Sequence, residues 1–240
     1  MPHFYVNPKD INNNIFTVTN EQFHYLAGVR RFNAGDEINI FDGLGNSFLA
    51  KITTVNKNSL TGQIISKLPF VLPKTKVCLY TAIPKGERFE WLIEKSAEIG
   101  ISKIVPLITS RSVITEISDN KFERYRKISV SASSQCGRAD LMSIEQPVKF
   151  IKAVDAVAEQ TNTINIIPWE SERTSIIDTL LKNTAEIKNI NIFIGPEGGF
   201  EQTETEYAFK NNLYAVTLGQ NILRIETACI VASVLVMKNL

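Results

Sequence analysis

The sequence predicts an α/β protein in two parts, a small domain of β-strands followed by a larger domain built on a parallel sheet. Up to Leu68, apolar and polar side chains alternate over short runs that end in turn residues, a pattern typical of paired strands. From Lys76 onwards, β-branched apolar runs alternate with helical patterns, which favours a parallel sheet with helices on both faces. Near the carboxyl end, two predicted strands each stop at a glycine-containing loop.

In the N-terminal part, the turn signals Asp42-Gly43 and Asn56–Ser59 separate the strand patterns. One short helix and three strands are predicted there: Asn20–Val29, then Ile38–Phe41, Ser47–Val55 and Leu60–Ile65. These elements indicate a small antiparallel barrel or sheet. The two prolines of Leu68–Pro73 interrupt the pattern and mark a linker, so the predicted domains are residues 1–72 and 73–240.

The larger domain is predicted to alternate strands with helices. The strands are Val77–Ile83, Lys103–Ile108, Ile164–Ile167, Ile190–Ile194 and Tyr214–Leu218. The helices are Glu87–Ile99, Asp119–Gln135, Thr174–Leu181, an acidic segment that begins at Glu201, and Thr227–Lys238. The first of these helices carries an apolar stripe at helical spacing and ends at Gly100, a residue type that commonly terminates helices.

The first glycine-rich loop follows Ile194 and contains four turn-forming residues: Gly195, Pro196, Gly198 and Gly199. Glycines let a ligand contact the bare backbone, and open α/β sheets bind ligands at the carboxyl ends of strands. Phosphate is not the expected ligand, because the Lys-Ser/Thr of a Walker loop is missing and Glu197 stands inside the loop. A carboxylate there would attract a cation or a hydroxyl donor. Taken alone, the loop is more simply a tight turn that starts a helix.

The second loop begins at Gly219, after the strand pattern Tyr214–Leu218 and before an apolar helix. Arg224 and Glu226 stand at the junction between this loop and the helix. Each could be half of a local ion pair that caps the helix. Both together, beside a second glycine loop, favour a ligand site.

The composition excludes several other classes. The chain of 240 residues is 44% hydrophobic and 21% charged, as in soluble globular proteins, and it contains neither a transmembrane-length apolar run nor a secretion signal. Cys78, Cys136 and Cys229 are odd in number and lack metal-ligand spacing, which predicts no metal and fits a reducing cytoplasm. The only histidines, His3 and His24, are far from the glycine loops, so histidine catalysis is not expected there.

The net charge is only +1, although RNA-binding proteins usually carry a basic balance. A basic patch on one face can coexist with acidic residues elsewhere. The candidates for such a patch are Arg30, Arg31, Lys85, Arg88, Arg138 and Arg124–Lys127, of which the last is more simply a set of solvated surface charges.

Two segments near the C-terminus, Ile194–Phe200 and Leu218–Ala228, resemble the two signature loops of the ribosomal RNA small-subunit methyltransferase E family of SPOUT-class enzymes. Further blocks resemble other motifs of this family: Gly35-Asp36, Asp42–Gly45, Lys85–Arg88, Glu94–Gly100, Thr109–Ser112 and Gln135–Arg138. The resemblance covers nearly the whole chain. Two positions depart from it, since many relatives carry a basic residue where this chain has Asn221 and a proline where it has Met142.

The resemblance implies both a fold and an activity. The fold would be a SPOUT-type parallel sheet with a trefoil knot around the C-terminal loops, preceded by a PUA-like RNA-binding β-barrel domain. The activity would be transfer of a methyl group from S-adenosylmethionine to N3 of a uridine in the 16S ribosomal RNA of the small subunit. The resemblance also implies a cytoplasmic homodimer.

The same resemblance assigns roles to individual residues. The cofactor-binding residues would be Ile194, Gly195, Pro196, Glu197, Gly198, Leu218, Gly219, Ile222 and Leu223, and the RNA-binding residues Arg30, Arg31, Lys85, Arg88, Arg111 and Arg138. Arg224 could stabilise negative charge on the carbonyl oxygens of the base, and either Glu197 or Glu226 could accept the N3 proton. Glu226 could equally orient Arg224 as an ion-pair partner, and Glu197 could be a helix-cap carboxylate.

Two other classes of function compete with this interpretation. A non-catalytic RNA-binding module would need the N-terminal domain and the basic patches but no second glycine loop. A nucleotide-dependent enzyme with a Rossmann-like domain would need the Gly-x-Gly-x-x-Gly or Lys-Ser/Thr patterns, and both are missing. Thr227–Met237 is apolar almost all round, which predicts burial against the domain's own sheet or in a dimer interface.

Overall fold

The computed structural model describes residues 3–181 and 186–240, and the chain divides into two compact units. The first unit contains the chain up to Leu72 together with Val130–Leu141, and the second contains Pro73–Ser129 and Met142–Leu240. The chain therefore leaves the first unit at the predicted linker and returns to it once. In the described ranges, no helix is long and apolar enough to cross a membrane.

The first unit is built on a six-stranded sheet. Its strands β1 to β6 are His3–Tyr5, Ile11–Asn12, Ile15–Thr19, Glu37–Phe41, Ser47–Val55 and Ser59–Leu68. Their order is β1-β4-β5-β6-β3-β2, and every pair is antiparallel except β1 with β4. A 3₁₀ turn, Pro8–Asp10, precedes β2, and helix α1, Asn20–Phe23, continues as a π-helical segment over His24–Val29.

Alternating side chains of these strands form the core of the first unit. Phe16 and Val18 on β3 are buried together with Ile38 and Ile40 on β4. Gly62 on β6 pairs directly with Phe16, and a Cβ at Gly62 would overlap the phenyl ring. The close approach of the ring to the β6 backbone therefore requires glycine at this position.

The second unit is built on a seven-stranded sheet in which every described pair is parallel. Its strands β7 to β13 are Lys76–Ala82, Lys103–Ile108, Ser143–Ile144, Val148–Lys149, Thr163–Pro168, Asn189–Ile194 and Leu213–Val216. The order is β10-β8-β7-β12-β11-β13, with β9 also paired to β8. The helices α2 to α7 are Arg88–Ile99, Asp119–Cys136, Phe150–Ala158, Ile177–Leu180, Gln202–Lys210 and Ile225–Lys238.

The parallel sheet and the alternation of strands with helices confirm the predicted fold class. The first sheet is not purely antiparallel as predicted, because β1 joins the edge strand β4 in parallel. Helix α4 was not predicted, although Phe150, Ala153, Val154 and Val157 form its buried face at helical spacing. The helix predicted over Thr174–Leu181 is only the short α5, because the preceding residues form a loop.

The division into domains 1–72 and 73–240 did not anticipate that Val130–Leu141 belongs to the first unit. Helix α3 ends inside this segment, and the loop after it pairs with Gly43 and Leu44 through Asp140. As a statement about which part of the chain carries which function, the division stays a prediction. The trefoil knot also stays a prediction.

The order of the strands determines where the loops of the second unit meet. Strand β12 lies between β7 and β11, and β13 pairs with β11 as the outermost strand of the sheet. Since these strands are parallel, the loops after β11, β12 and β13 leave the same edge of the sheet side by side. Both predicted glycine loops lie at this edge.

One polar pair lies inside the sheet. Asn165 on β11 and Asn191 on β12 are buried and directly paired in register, and Asn191 Nδ2 donates to Asn165 Oδ1 over 2.8 Å. Because a slipped register would separate the two amides, the pair favours the observed alignment of β11 and β12.

We predict that Asn191→Leu destabilises the protein by about 1–3 kcal/mol, because Asn165 Oδ1 then loses its donor in a buried site. Denaturant unfolding measures the loss. The double variant Asn165→Leu/Asn191→Leu should recover part of the stability, since it leaves neither amide unpaired. A single variant as stable as the wild type would contradict the prediction.

Candidate functional site

Three loops at one edge of the parallel sheet enclose a cleft of about 320 Å³. They follow β11, β12 and β13, and the start of α7 closes one side. Most residues assigned to the cofactor from the sequence line this cleft: Ile194, Gly195, Pro196, Glu197, Leu218, Gly219, Ile222 and Leu223. Arg224 lines it as well, whereas Gly198 and Glu226 are not among its lining residues.

The first glycine loop is a tight turn held by its own backbone. The Gly199 amide donates to Pro196 O over 2.9 Å, and Gly199 has a φ of 69°, a conformation that favours glycine. A Cβ on Gly195 would lie 3.0 Å from the Phe200 ring, so a larger residue would displace either the ring or the loop. The loop thus presents its backbone at the end of β12.

Helix α6, which follows this loop, begins with a capping box. The Glu201 side chain accepts from the backbone amide of Glu204, and Glu204 Oε2 accepts from the Glu201 amide over 2.9 Å. The alternative that Glu197 caps this helix is therefore wrong. Glu197 is exposed on the cleft wall instead.

The buried carboxylate of Glu204 also holds a second loop. Its Oε1 accepts a hydrogen bond of 2.9 Å from the backbone amide of Ser110, in the turn after β8. Both carboxylate oxygens of Glu204 therefore accept a hydrogen bond, Oε2 from the start of α6 and Oε1 from the turn after β8. Glu204 fixes the distance between the two loops.

Arg111, assigned to RNA from the sequence, supports the same loop. Its Nη1 donates to Gly198 O over 2.6 Å, and its Nε lies 3.9 Å from Glu201 Oε1. The Arg111 side chain also packs against Gly198, where a Cβ would lie 3.3 Å from its Cδ. Through these contacts, Arg111 stabilises the first glycine loop.

The second loop exposes apolar surface. Gly219 has a φ of 120°, which favours glycine, and its amide donates to Thr217 Oγ1 over 3.2 Å. Ile222 is 85% exposed although its side chain is wholly apolar. An apolar side chain displayed on the wall of a cleft is typical of a ligand-binding surface.

Arg224 precedes helix α7 and is exposed at the cleft. The suggested pairing of Arg224 with Glu226 is not found: Glu226 Oε1 lies 3.9 Å from Nη1 of Arg88 on α2. In the described chain, no hydrogen bond reaches the buried Oε2 of Glu226. Arg88, assigned to RNA from the sequence, therefore lies beside the start of α7, and Arg224 remains available to a ligand.

The third wall of the cleft was missed from the sequence. It is formed by Trp169, Glu170, Glu172 and Arg173 of the loop after β11. The only sequence signal for it was the predicted end of a strand. Glu172 Oε1 accepts from the backbone amides of Arg173, Thr174 and Ser175 over 2.8 to 3.0 Å. These bonds lower the pKa of Glu172 to about 2, so its carboxylate is charged at neutral pH.

The remaining basic residues assigned to RNA have different surroundings. Lys85 is exposed in the turn before α2, and Arg30 and Arg31 are exposed in the first unit. Arg138 is only 8% exposed, and its Nη2 donates to Asp140 Oδ2 over 2.6 Å. The assignment of Arg138 to phosphate binding is therefore corrected: its guanidinium is buried in a bidentate pair with Asp140.

In the part of the chain that the structure describes, the cleft offers neither a cluster of metal ligands nor a reactive thiol. Within the described ranges, no group of three or more His, Cys, Asp and Glu side chains is placed to hold a metal ion. Cys229, on α7, is fully buried, and burial raises its pKa to about 12. Such a thiol stays protonated and is inert as a nucleophile.

Comparison with protein-family models assigns both parts of the chain. Residues 72–237 match an RNA methyltransferase domain, and residues 18–65 match an RNA methyltransferase PUA domain. The chain is 30% identical over 224 residues to ribosomal RNA small subunit methyltransferase E of Rickettsia conorii. That alignment covers 92% of this chain and 88% of the relative.

Two solved structures share the whole fold. One is a ribosomal RNA small subunit methyltransferase E from Neisseria gonorrhoeae bound to S-adenosylmethionine, at 26% identity and a TM-score of 0.84 over 97% of this chain and 95% of that chain. The other is a methyltransferase from Legionella pneumophila in complex with the same cofactor, at 28% identity and a TM-score of 0.86 over 99% and 97%. The arrangement of the strands is thus that of SPOUT-type enzymes with a PUA-like N-terminal domain.

We predict that Glu204→Gln loosens the first glycine loop, because an amide nitrogen cannot accept and one of the two backbone donors is left without a partner. The expected cost is about 1–3 kcal/mol in free energy of unfolding. Hydrogen exchange at the amides of Ser110 and Glu201 should accelerate with it. Glu206→Gln, on the exposed face of the same helix, is the matched control and should change neither quantity. Unchanged exchange in Glu204→Gln would contradict the bridging role.

Proposed function

This chain belongs to the ribosomal RNA small subunit methyltransferase E family, and we propose that it transfers a methyl group from S-adenosylmethionine to N3 of a uridine in 16S ribosomal RNA. The observation that carries the proposal is the cleft, in which three loops from parallel strand ends bring together both glycine loops and Arg224. A non-catalytic RNA-binding module has no use for such a cleft.

The chemistry of the cleft suits S-adenosylmethionine. The carboxylates of Glu170, Glu172 and Glu197 line it, and they tolerate a sulfonium cation where they would repel a polyphosphate. Ile222 and Leu223 line the cleft beside Gly219 and offer an apolar slot for adenine. The volume of about 320 Å³ lies in the range of small-molecule sites.

Methyl transfer is an in-line displacement that depends on the position of the nucleophile relative to the methyl group. Uridine N3 carries a proton at neutral pH, so that proton must leave and the resulting negative charge must be stabilised. We assign charge stabilisation to Arg224, which lines the cleft and presents a guanidinium, a planar cationic donor. We assign the proton to Glu197, because Glu197 lines the cleft whereas Glu226 lies beside Arg88.

The RNA would also be held outside the cleft. The first unit matches a PUA domain of RNA methyltransferases, and the exposed Arg30 and Arg31 belong to it. In the second unit, Lys85 is exposed in the turn before α2. We keep these three residues as phosphate ligands. We do not keep Arg138, because it is paired with Asp140. Arg88 and Arg111 are not kept either, because Arg88 lies beside Glu226 and Arg111 donates to the first glycine loop.

Transfer of labelled methyl groups tests the function. Small ribosomal subunits from a strain that lacks this methyltransferase, and deproteinised 16S RNA, are incubated with labelled S-adenosylmethionine and the wild-type chain. Nucleoside analysis should find 3-methyluridine. Calorimetry should detect binding of S-adenosylmethionine but not of ATP or NAD. RNA binding without methyl transfer would favour the non-catalytic module, and binding of ATP or NAD instead would favour a nucleotide-dependent enzyme.

We predict that Arg224→Lys keeps cofactor affinity but lowers the single-turnover rate by about a hundredfold to a thousandfold, because a planar, preorganised donor is lost. The matched control is Arg126→Lys, on the exposed surface of α3, which should turn over at the wild-type rate. A near-wild-type rate for Arg224→Lys at saturating cofactor would remove the catalytic role.

We also propose a homodimer that uses the outer face of α7. This helix packs its inner face against α2 and β7, and its outer residues Ala228, Val231, Val234 and Leu235 are apolar and partly exposed. Val234 is 48% exposed in the described chain. Single exposed apolar residues are common, but an apolar stripe along one helix favours a protein contact.

We predict twice the chain mass for the wild type in light scattering at micromolar concentration. Val234→Lys, which places a charge in the stripe, should give the mass of a single chain. Lys152→Gln, on the exposed surface of α4, is a control that should remain dimeric. A wild-type protein that is monomeric and active would refute the dimer.

A further inference from the structure

The arginines of the second unit divide into two groups. Four of them have a carboxylate within ion-pair distance: Arg88, Arg111, Arg124 and Arg126. For the other two, Arg173 and Arg224, no ion pair is found in the described ranges, and both line the cleft. Both guanidinium groups can therefore bind an anionic group of a ligand in the cleft, because arginine binds phosphate and carboxylate bidentately.

The loop that carries Arg173 is fixed in place. Glu172 Oε1 accepts hydrogen bonds from the backbone amides of the three following residues and from the hydroxyl of Thr174, with donor–acceptor distances of 2.8 to 3.0 Å. The loop is also joined to β13 at both ends, since the Trp169 amide donates to Val216 O and the Thr217 amide donates to Ser175 O. These hydrogen bonds hold the backbone of Arg173 in place, and the side chain of Arg173 takes no part in them.

We propose that Arg173 is a second RNA-binding cation of the cleft, which pairs with a backbone phosphate next to the target uridine. This inference rests on the proposed function. Glu170, Glu172 and Glu197 give the cleft an acidic wall that repels an RNA strand, and the cation of Arg173 on the same wall offsets part of that repulsion. The carboxylate of the cofactor is the other anion that could reach Arg173.

The exposure of Arg173 favours the phosphate over the cofactor carboxylate. Arg173 is exposed and belongs to the loop after β11, whereas the cofactor is assigned to the glycine loops after β12 and β13. An RNA phosphate remains partly hydrated when it is bound, and an exposed guanidinium suits it because a bidentate contact needs no burial.

The test measures affinity for deproteinised 16S RNA as a function of salt, without cofactor, and affinity for S-adenosylmethionine separately. Arg173→Gln removes the charge but keeps the backbone bond to Glu172, so the loop should stay folded. Arg173→Lys keeps the charge. Lys152→Gln removes one charge from α4, away from the cleft lining, and is the matched control.

Arg173→Gln should make the salt slope shallower by about 0.7 to 0.9, the contribution of one phosphate contact. Arg173→Lys and Lys152→Gln should keep the wild-type slope, and all variants should bind S-adenosylmethionine equally. An unchanged slope for Arg173→Gln would overturn the inference. So would weaker cofactor binding by Arg173→Gln alone, which would assign the guanidinium to the cofactor carboxylate. If the wild type bound no ribosomal RNA, the proposed function itself would fail.

Discussion

The parallel pairing of β7, β12, β11 and β13 is the constraint on which the rest of the second unit depends. It places three successive strand ends at one edge of the sheet, so that loops distant in sequence share a single cleft. The buried amides of Asn165 and Asn191 reinforce this alignment, since they meet only when β11 and β12 are in register. A side chain on one of these loops therefore takes its position from the register of the sheet.

Carboxylates hold the loops once the sheet has placed them. Glu204 joins the start of α6 to the turn after β8, and Glu172 organises the loop after β11. Glu226 lies against Arg88 and connects the start of α7 to α2. Of these three carboxylates, Glu172 and Glu204 accept hydrogen bonds from the backbone of the loops that they hold.

The sequence predicted the elements of the fold well, because period-two and helical patterns reflect which faces are buried. It missed the strands β1, β2, β3, β9 and β10 and, with β1, the parallel pair that this strand forms. It also missed α4, which begins directly after β10. Both glycine loops were located because glycine and proline leave a visible signal. The loop after β11 leaves no such signal: its role follows from strand order, and its rigidity from hydrogen bonds to one carboxylate.

The roles of charged residues were harder to predict, because the partner of an arginine can lie far away in sequence. Arg111 is 87 residues from its acceptor Gly198, and Glu226 pairs with Arg88 and not with the nearby Arg224. Arg138 was assigned to RNA binding, yet it is buried and pairs with Asp140. The type of a charged residue indicates which interactions its side chain can make, but the residue that it contacts depends on the fold.

The return of Val130–Leu141 to the first unit has a consequence for biosynthesis. The Gly45 amide donates to Ala139 O, and the Leu141 amide donates to Gly43 O, so the loop after β4 is completed by residues translated about a hundred positions later. A nascent chain that has only just emerged past Leu72 holds all six strands of the first sheet but lacks this segment. The N-terminal unit therefore matures only when much of the methyltransferase sequence has left the ribosome, and synthesis of the two units is coupled in time.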